Sequence, residues 1–216
     1  MPIRRIAVIG DRLSSGRIAI LRPHDSKKTT MMTGTISAPD AATTPALAEL
    51  IAAIRKLVKS EPDPQRVSQA VAEELKPYLQ MPDLLTEEQM QPDENCYCRH
   101  VLHVEPDGSF SMVSLVWLPC QETASHDHVS WCVVGVYRGE EGETTYRLDG
   151  DPTNQHLVIT DQTVNPIGST VALVPPGDIH RVKNSCDGRA VSIHVYGADV
   201  AALGSSILRR YDLPVR

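Results

Sequence analysis

With 216 residues, 41% of them apolar and 22% charged, the chain has room for one compact core and a small accessory layer, not for two large domains. A formal net charge of −6 speaks against a general binder of nucleic acid or anionic membrane and points to small-molecule partners. Five cysteines, an odd count, do not read as a secreted disulfide framework. No apolar run approaches the roughly 20 residues that a bilayer-spanning helix needs, so the expected setting is a reducing cytoplasm and the expected state a monomer.

Residues 1–43 are rich in Arg, Ser and Thr, lack periodic apolar patterning and include Met31-Met32, which reads as a disordered leader or a start assigned too far upstream. Within them, Ile6 to Asp11 resembles a strand entering a nucleotide loop, but the further glycines of such a loop are missing. From Thr44 the pattern changes. Pro45 suits a first helical position, and Leu47, Leu50, Ile51, Ile54 and Leu57 recur at helical spacing through Ser60. A second amphipathic helix comes after Pro62-Asp63-Pro64, with Val67, Ala70, Val71, Leu75 and Leu79 on one face. Residues 44–93 are therefore expected as a helical segment packed on the C-terminal half of the chain.

After Glu94 the punctuation is that of an all-β domain: short alternating or β-branched runs separated by Pro-Asp-Gly, Arg-Gly-Glu-Glu-Gly, Asp-Gly-Asp-Pro, Asn-Pro-Ile-Gly and Cys-Asp-Gly. The predicted runs are 96–104, 109–117, 125–129, 132–138, 143–148, 156–160, 170–174, 180–184 and 190–196. So many short antiparallel strands favour a barrel or jelly roll over residues 94–205, with 206–216 left as a C-terminal tail.

The stretch Ser125-His126-Asp127-His128 places two imidazoles two residues apart on a strand, where they share a face. Neutral imidazoles on one rigid element suit iron, zinc, copper or nickel. A third ligand is offered by Pro175-Pro176-Gly177-Asp178-Ile179-His180, where a turn delivers a histidine at a strand start. Any one of the eight histidines alone is best read as a hydrogen-bonded barrel residue; the joint pattern reverses that. His126-x-His128 and Gly139, followed by Gly168, Pro175, Gly177, His180 and Asn184, resemble the two cupin motifs, with one extra residue between Gly168 and Pro175. Cys132 stands where the commonest cupins place a glutamate ligand, so the implied metal shell is three histidines without a carboxylate. Such a shell leaves the metal's charge uncompensated and favours an incoming thiolate. Zinc fits the same ligands as ferrous iron.

Together with Tyr97-Cys98-Arg99 and His194-Val195-Tyr196, these marks resemble the cysteine dioxygenase family of thiol dioxygenases, over roughly residues 44–200. The resemblance implies a mainly β fold, the cupin double-stranded β-helix preceded by a small helical segment. It implies Fe(II) held by His126, His128 and His180, O2 as co-substrate and a small thiol, L-cysteine first, oxidised to its sulfinic acid. Arg99 then grips the substrate carboxylate, with Tyr97 nearby, in place of snorkelling to solvent. The branch acting on mercaptopropionate typically carries glutamine there, so arginine favours cysteine. By the same resemblance His194 holds the hydroxyl of Tyr196, which points at the substrate and oxygen; otherwise Tyr196 is an amphipathic barrel residue with a wet tip. Animal members cross-link a cysteine at the place of Cys132 to this tyrosine through a thioether. The loop from His128 is one residue shorter here, and a small buried hydrophobe is an equal reading. Cys96, Cys98, Cys120, Cys186, His100, His103 and His156 receive no role, and Trp131 is read as barrel packing. Other small thiols, including 3-mercaptopropionate, cysteamine or a thiol-imidazole, and a non-catalytic metal-binding sensor, are the alternative functions.

Overall fold

A computed structural model describes residues 17–20, 36–37 and 43–216. Most of the expected leader, including Ile6 to Asp11, lies outside them. Its two described pieces are strands, β1 (Arg17–Ile20) and β2 (Ile36–Ser37).

Both helices form where the periodicity places them. In α1 (Pro45–Ser60) the Thr44 side chain caps the first turn by accepting from the Leu47 N–H at 3.1 Å, and Leu47, Leu50, Ile51 and Ile54 are buried. In α2 (Pro64–Tyr78) Asp63 accepts from the Arg66 N–H at 2.9 Å, and Val67, Val71, Ala72 and Leu75 are buried. The two pack on each other and α2 lies on the barrel. Gly135 permits that seat: a Cβ there would come within 2.6 Å of Leu75 Cδ2 and 2.9 Å of Leu79 Cδ1. Among the described residues no helix is long and apolar enough to cross a membrane.

The remaining strands are β3 (Cys98–Val104), β4 (Ser111–Trp117), β5 (His126–His128), β6 (Cys132–Arg138), β7 (Glu140–Asp149), β8 (His156–Pro166), β9 (Thr170–Leu173), β10 (His180–Asn184) and β11 (Ala190–Tyr196); after a short α3 (Val200–Leu203) comes β12 (Ile207–Asp212). They form two six-stranded sheets, β1-β12-β5-β10-β7-β8 and β2-β3-β4-β11-β6-β9. All pairings are antiparallel except β2 with β3. From β8 onward the chain alternates between the sheets with each strand, the winding of a double-stranded β-helix. The fold is thus mainly β with helices near the N-terminus, as the sequence implies.

Two boundaries differ from the sequence reading. The segment expected as a C-terminal tail contains β12, which pairs with β5 and completes that sheet beside the paired histidines. The Arg-Gly-Glu-Glu-Gly stretch, read as a turn, bends only at Gly139, whose φ is 70°; its glutamates already belong to β7. A Cβ on Gly139 would lie 2.8 Å from Cys186 Sγ and 3.0 Å from Ala190, so both conformation and space call for glycine. The β7 and β8 strands accordingly run longer than predicted, pairing from Glu140 with Pro166 to Asp149 with His156.

Candidate metal centre

Strand β5 turns His126 and His128 inward, and His180, the first residue of β10, lies directly across from His126 in register. All three are buried. One ring nitrogen from each lies within 4.8 Å of the others, the one such group of His, Cys, Asp or Glu side chains among the described residues. Each ring is oriented through its Nδ1. His126 Nδ1 lies 2.9 Å from the Ala124 carbonyl, His128 Nδ1 2.9 Å from Asp178 Oδ2, and His180 Nδ1 2.7 Å from Glu143 Oε1. With Nδ1 donating in each case, Nε2 carries the lone pair, and three lone pairs converge on one point. Burial, then the neighbouring imidazoles, holds His126 well below its ordinary pKa and brings His180 to about 3. His126 and His180 are therefore neutral at physiological pH, the form a metal takes up. This donor set fits a transition metal.

The orienting carboxylates are not decoration. Asp178 also accepts the His128 backbone N–H at 3.1 Å; burial is the largest influence and pushes its carboxyl up, but the His128 ring and the backbone N–H donors together outweigh it and hold the carboxyl below the usual range. Burial raises Glu143. An Asp178→Asn substitution keeps the shape but replaces the carboxylate that orients the His128 ring with a neutral amide. Metal affinity is expected to fall about 10- to 100-fold, read by competition with a chromophoric chelator, with the melting temperature checked alongside.

Asp127, between the two histidines, points the other way and ties β5 to β12. It accepts from Arg209 N at 2.9 Å, Arg209 Nε at 2.8 Å and the Tyr211 hydroxyl at 2.8 Å. Strand β12 is therefore held by an ion pair in which the Arg209 guanidinium donates twice to one oxygen of the buried Asp127 carboxylate.

The cavity in front of the three imidazoles is lined by Tyr97, Arg99, His194, Tyr196 and Ser206, among others. Arg99 and Tyr97 thus line one space with the histidines. Tyr97 stacks on Trp117 with ring centroids 4.6 Å apart. His194 Nδ1 lies 3.2 Å from the Tyr196 hydroxyl, and burial, then the neighbouring imidazoles of His128 and His180, brings the His194 pKa to about 3. Burial, then Cys132, drives the Tyr196 phenol well above its ordinary value. Cys132 is fully buried and faces Tyr196 directly across the β6–β11 pairing; burial raises its thiol strongly, and the Tyr196 hydroxyl acts in the opposite sense.

Several residues that sequence reasoning passed over belong to this site. Ser192 Oγ lies 2.9 Å from His194 Nε2, so the imidazole is held at both nitrogens. Asp178 and Glu143 orient ligating rings, and Glu141 lies buried one inward step along β7 from Glu143. The signal for Ser192 is its i, i+2, i+4 spacing with His194 and Tyr196. The histidines left without a role have ordinary partners: His100 the Gln91 carbonyl at 2.8 Å, and His103 the Glu105 carboxylate at 2.9 Å. Trp131 packs against Gly197, where any Cβ would strike its ring.

A family model described as cysteine dioxygenase type I matches residues 32–204. Among solved structures, an uncharacterized conserved protein with a double-stranded β-helix domain from Klebsiella pneumoniae subsp. pneumoniae MGH 78578 is 21% identical, covering 52% of this chain and 86% of that one, with a TM-score of 0.39. An RmlC-like cupin protein from Desulfovibrio desulfuricans is 20% identical, covering 50% and 89%, at a TM-score of 0.37. A Cupin 2 conserved barrel domain protein from Salinispora arenicola CNS-205 is 21% identical, covering 56% and 89%, at 0.36.

Proposed function

The chain belongs to the cysteine dioxygenase type I family, and from that premise we propose that it is a non-haem iron(II) enzyme that oxidises L-cysteine to its sulfinic acid. Family membership and the three-histidine centre support a metal-dependent thiol dioxygenase. Iron and cysteine are the finer part of the reading. The reaction balances as a thiol plus one dioxygen giving a sulfinic acid, with no external reductant.

The observation that carries this reading is the placing of Arg99, Tyr196 and three converging imidazoles around one cavity, with no carboxylate in the ligand cluster among the described residues. His126, His128 and His180 are the residues that would hold the iron. Bound there, it would supply the redox chemistry that adds both oxygen atoms to sulfur. The chain's own groups do the rest. Arg99 holds the substrate carboxylate by charge-assisted hydrogen bonds, strengthened by the low dielectric of the barrel. Tyr196, steadied by His194, presents a hydroxyl that stays protonated and can donate at the reacting atoms. The buried apolar surroundings of Leu115, Trp117 and Val182 limit water around the thiol. The test is oxygen uptake by anaerobically iron-loaded protein across a panel of thiols. Uptake led by L-cysteine supports the proposal; metal and thiol binding without uptake by any of them overturns it in favour of a sensor.

The pairing of Cys132 with Tyr196 also supports a thioether between Sγ and the phenol ring. Forming it removes two hydrogens, taken up by dioxygen. Intact mass spectrometry after turnover with iron and thiol is expected to show that loss, and its absence from the Cys132→Ala variant. A fully reduced protein of unchanged mass would mean that Cys132 is a packing residue.

A further inference from the structure

The mechanism leaves one buried acid unused. Glu141 is 1% exposed, and its Oε1 has no hydrogen-bond partner. The groups around it come from three other strands. Trp117 from β4 and Ser192 from β11 act as donors toward its carboxyl, and Asn184 of β10 is its register partner. Glu143, along the same strand, and the Cys132 thiol are the titratable groups that feel or raise its charge, and His194 lies one hydrogen bond beyond Ser192. The Trp117 indole N–H also reaches Ser192 Oγ at 3.3 Å. A hydrogen-bonded line runs from Ser192 through His194 to the hydroxyl of Tyr196 in the cavity, and the Glu141 carboxyl faces its Ser192 end.

We propose that Glu141 is a positioning residue that ends this line and sets the direction in which all of its hydrogen bonds point. The inference rests on the dioxygenase reading only for its effect on turnover. Ser192 has one proton to donate, and neutral His194 has one N–H and one bare nitrogen. When Glu141 is a neutral acid, it donates to Ser192, and Ser192 donates to His194 Nε2. His194 then carries its proton on Nδ1 and donates to the Tyr196 oxygen, which frees the Tyr196 O–H to point into the cavity. When Glu141 is ionised, Ser192 donates to the carboxylate, His194 donates from Nε2 to Ser192, and its bare Nδ1 captures the Tyr196 O–H. Tyr196 then has no proton to offer substrate or oxygen.

A buried carboxyl with an orphaned oxygen favours the neutral acid. Burial chiefly, with Glu143 adding to it against the two donors, raises Glu141 to about 7, so both states lie within reach of neutrality. His194 itself stays neutral throughout, since its own pKa is about 3.

The direct test reads the imidazole, not the reaction. Nitrogen-15 shifts of His194 in the full chain loaded with zinc, which is diamagnetic, report which ring nitrogen bears the proton. The wild type is expected to move from the Nδ1–H to the Nε2–H form between pH 5.5 and 8.5. Glu141→Gln, whose amide can still donate to Ser192, is expected to hold the Nδ1–H form at every pH, and Glu141→Leu to show no pH transition. In iron-loaded protein, Leu is expected to lower kcat about 10-fold with KM nearly unchanged, and Gln to restore most of it. A His194 tautomer that ignores pH in the wild type, or a transition that persists in both variants, overturns the proposal. If the tautomer switches but no thiol supports oxygen uptake, the dioxygenase reading fails and the proton line stands.

Discussion

Replacing His180 with alanine is expected to abolish retention of the metal and, with it, thiol-dependent oxygen uptake. The three ring nitrogens lie within 4.8 Å of one another, and His180 is the one delivered by a strand other than β5. Without it two imidazoles remain, too few to fill one face of an iron site. Loss of an outer partner alone is worth about 10- to 100-fold in affinity or activity, so loss of the ligand itself is expected to exceed about 100-fold. Glu143 then loses the N–H that it accepts at 2.7 Å. Because burial already raises its carboxyl, it can take up a proton in place of the lost bond, which keeps the structural cost to a small number of kcal/mol, about 1–3. The barrel should therefore remain folded. Metal content by elemental analysis, oxygen-electrode rates and a melting curve on the same sample separate these effects. A His156→Ala variant, altering a histidine outside the cavity, serves as the comparison. Undiminished uptake by metal-replete His180→Ala protein would sink the three-histidine assignment.

The histidine triad was legible because each part obeys a local rule. Alternation on a strand puts His126 and His128 on one face, and the Pro/Gly turn before His180 starts a strand. The amphipathic helices were legible for the same reason. What escaped depends on partners far apart in the chain. Glu143 meets His180 across 37 residues of sequence, and Asp127 meets Arg209 across 82. Glu140 and Glu141 beside glycines read as a turn, since buried acids are rare unless paired, and the burial of Glu141 is visible only once β7 lies beside β10. Likewise Ile207–Asp212 carries two arginines and an aspartate, which reads as a polar tail. The structure resolves the contradiction through the register shift between Ile207 and Arg209: past it Arg209 and Tyr211 turn to Asp127, while Ile207, before it, lines the cavity.

Changing Arg99 to glutamine is expected to separate thiols by whether they carry a carboxylate. Arg99 borders the cavity shared by the three histidines, and its charge is felt at both His194 and Tyr196. A hydrogen bond to a charged group contributes about 1.5–3 kcal/mol, which corresponds to about 10- to 150-fold in kcat/KM at one decade per 1.4 kcal/mol. The loss for L-cysteine is expected in that range and mostly in KM, because the carboxylate is bound alike before and during the reaction. Cysteamine, which has the amine and thiol without the carboxylate, should change by less than about 2-fold. 3-Mercaptopropionate carries the carboxylate without the amine, so its wild-type ratio to L-cysteine reports how much the amine contributes. An oxygen electrode with all three thiols, on wild type and variant loaded with equal iron, reads the whole pattern. Equal losses for cysteamine and cysteine would mean that Arg99 shapes the site without holding the substrate. No loss for either would place the carboxylate elsewhere in the cavity.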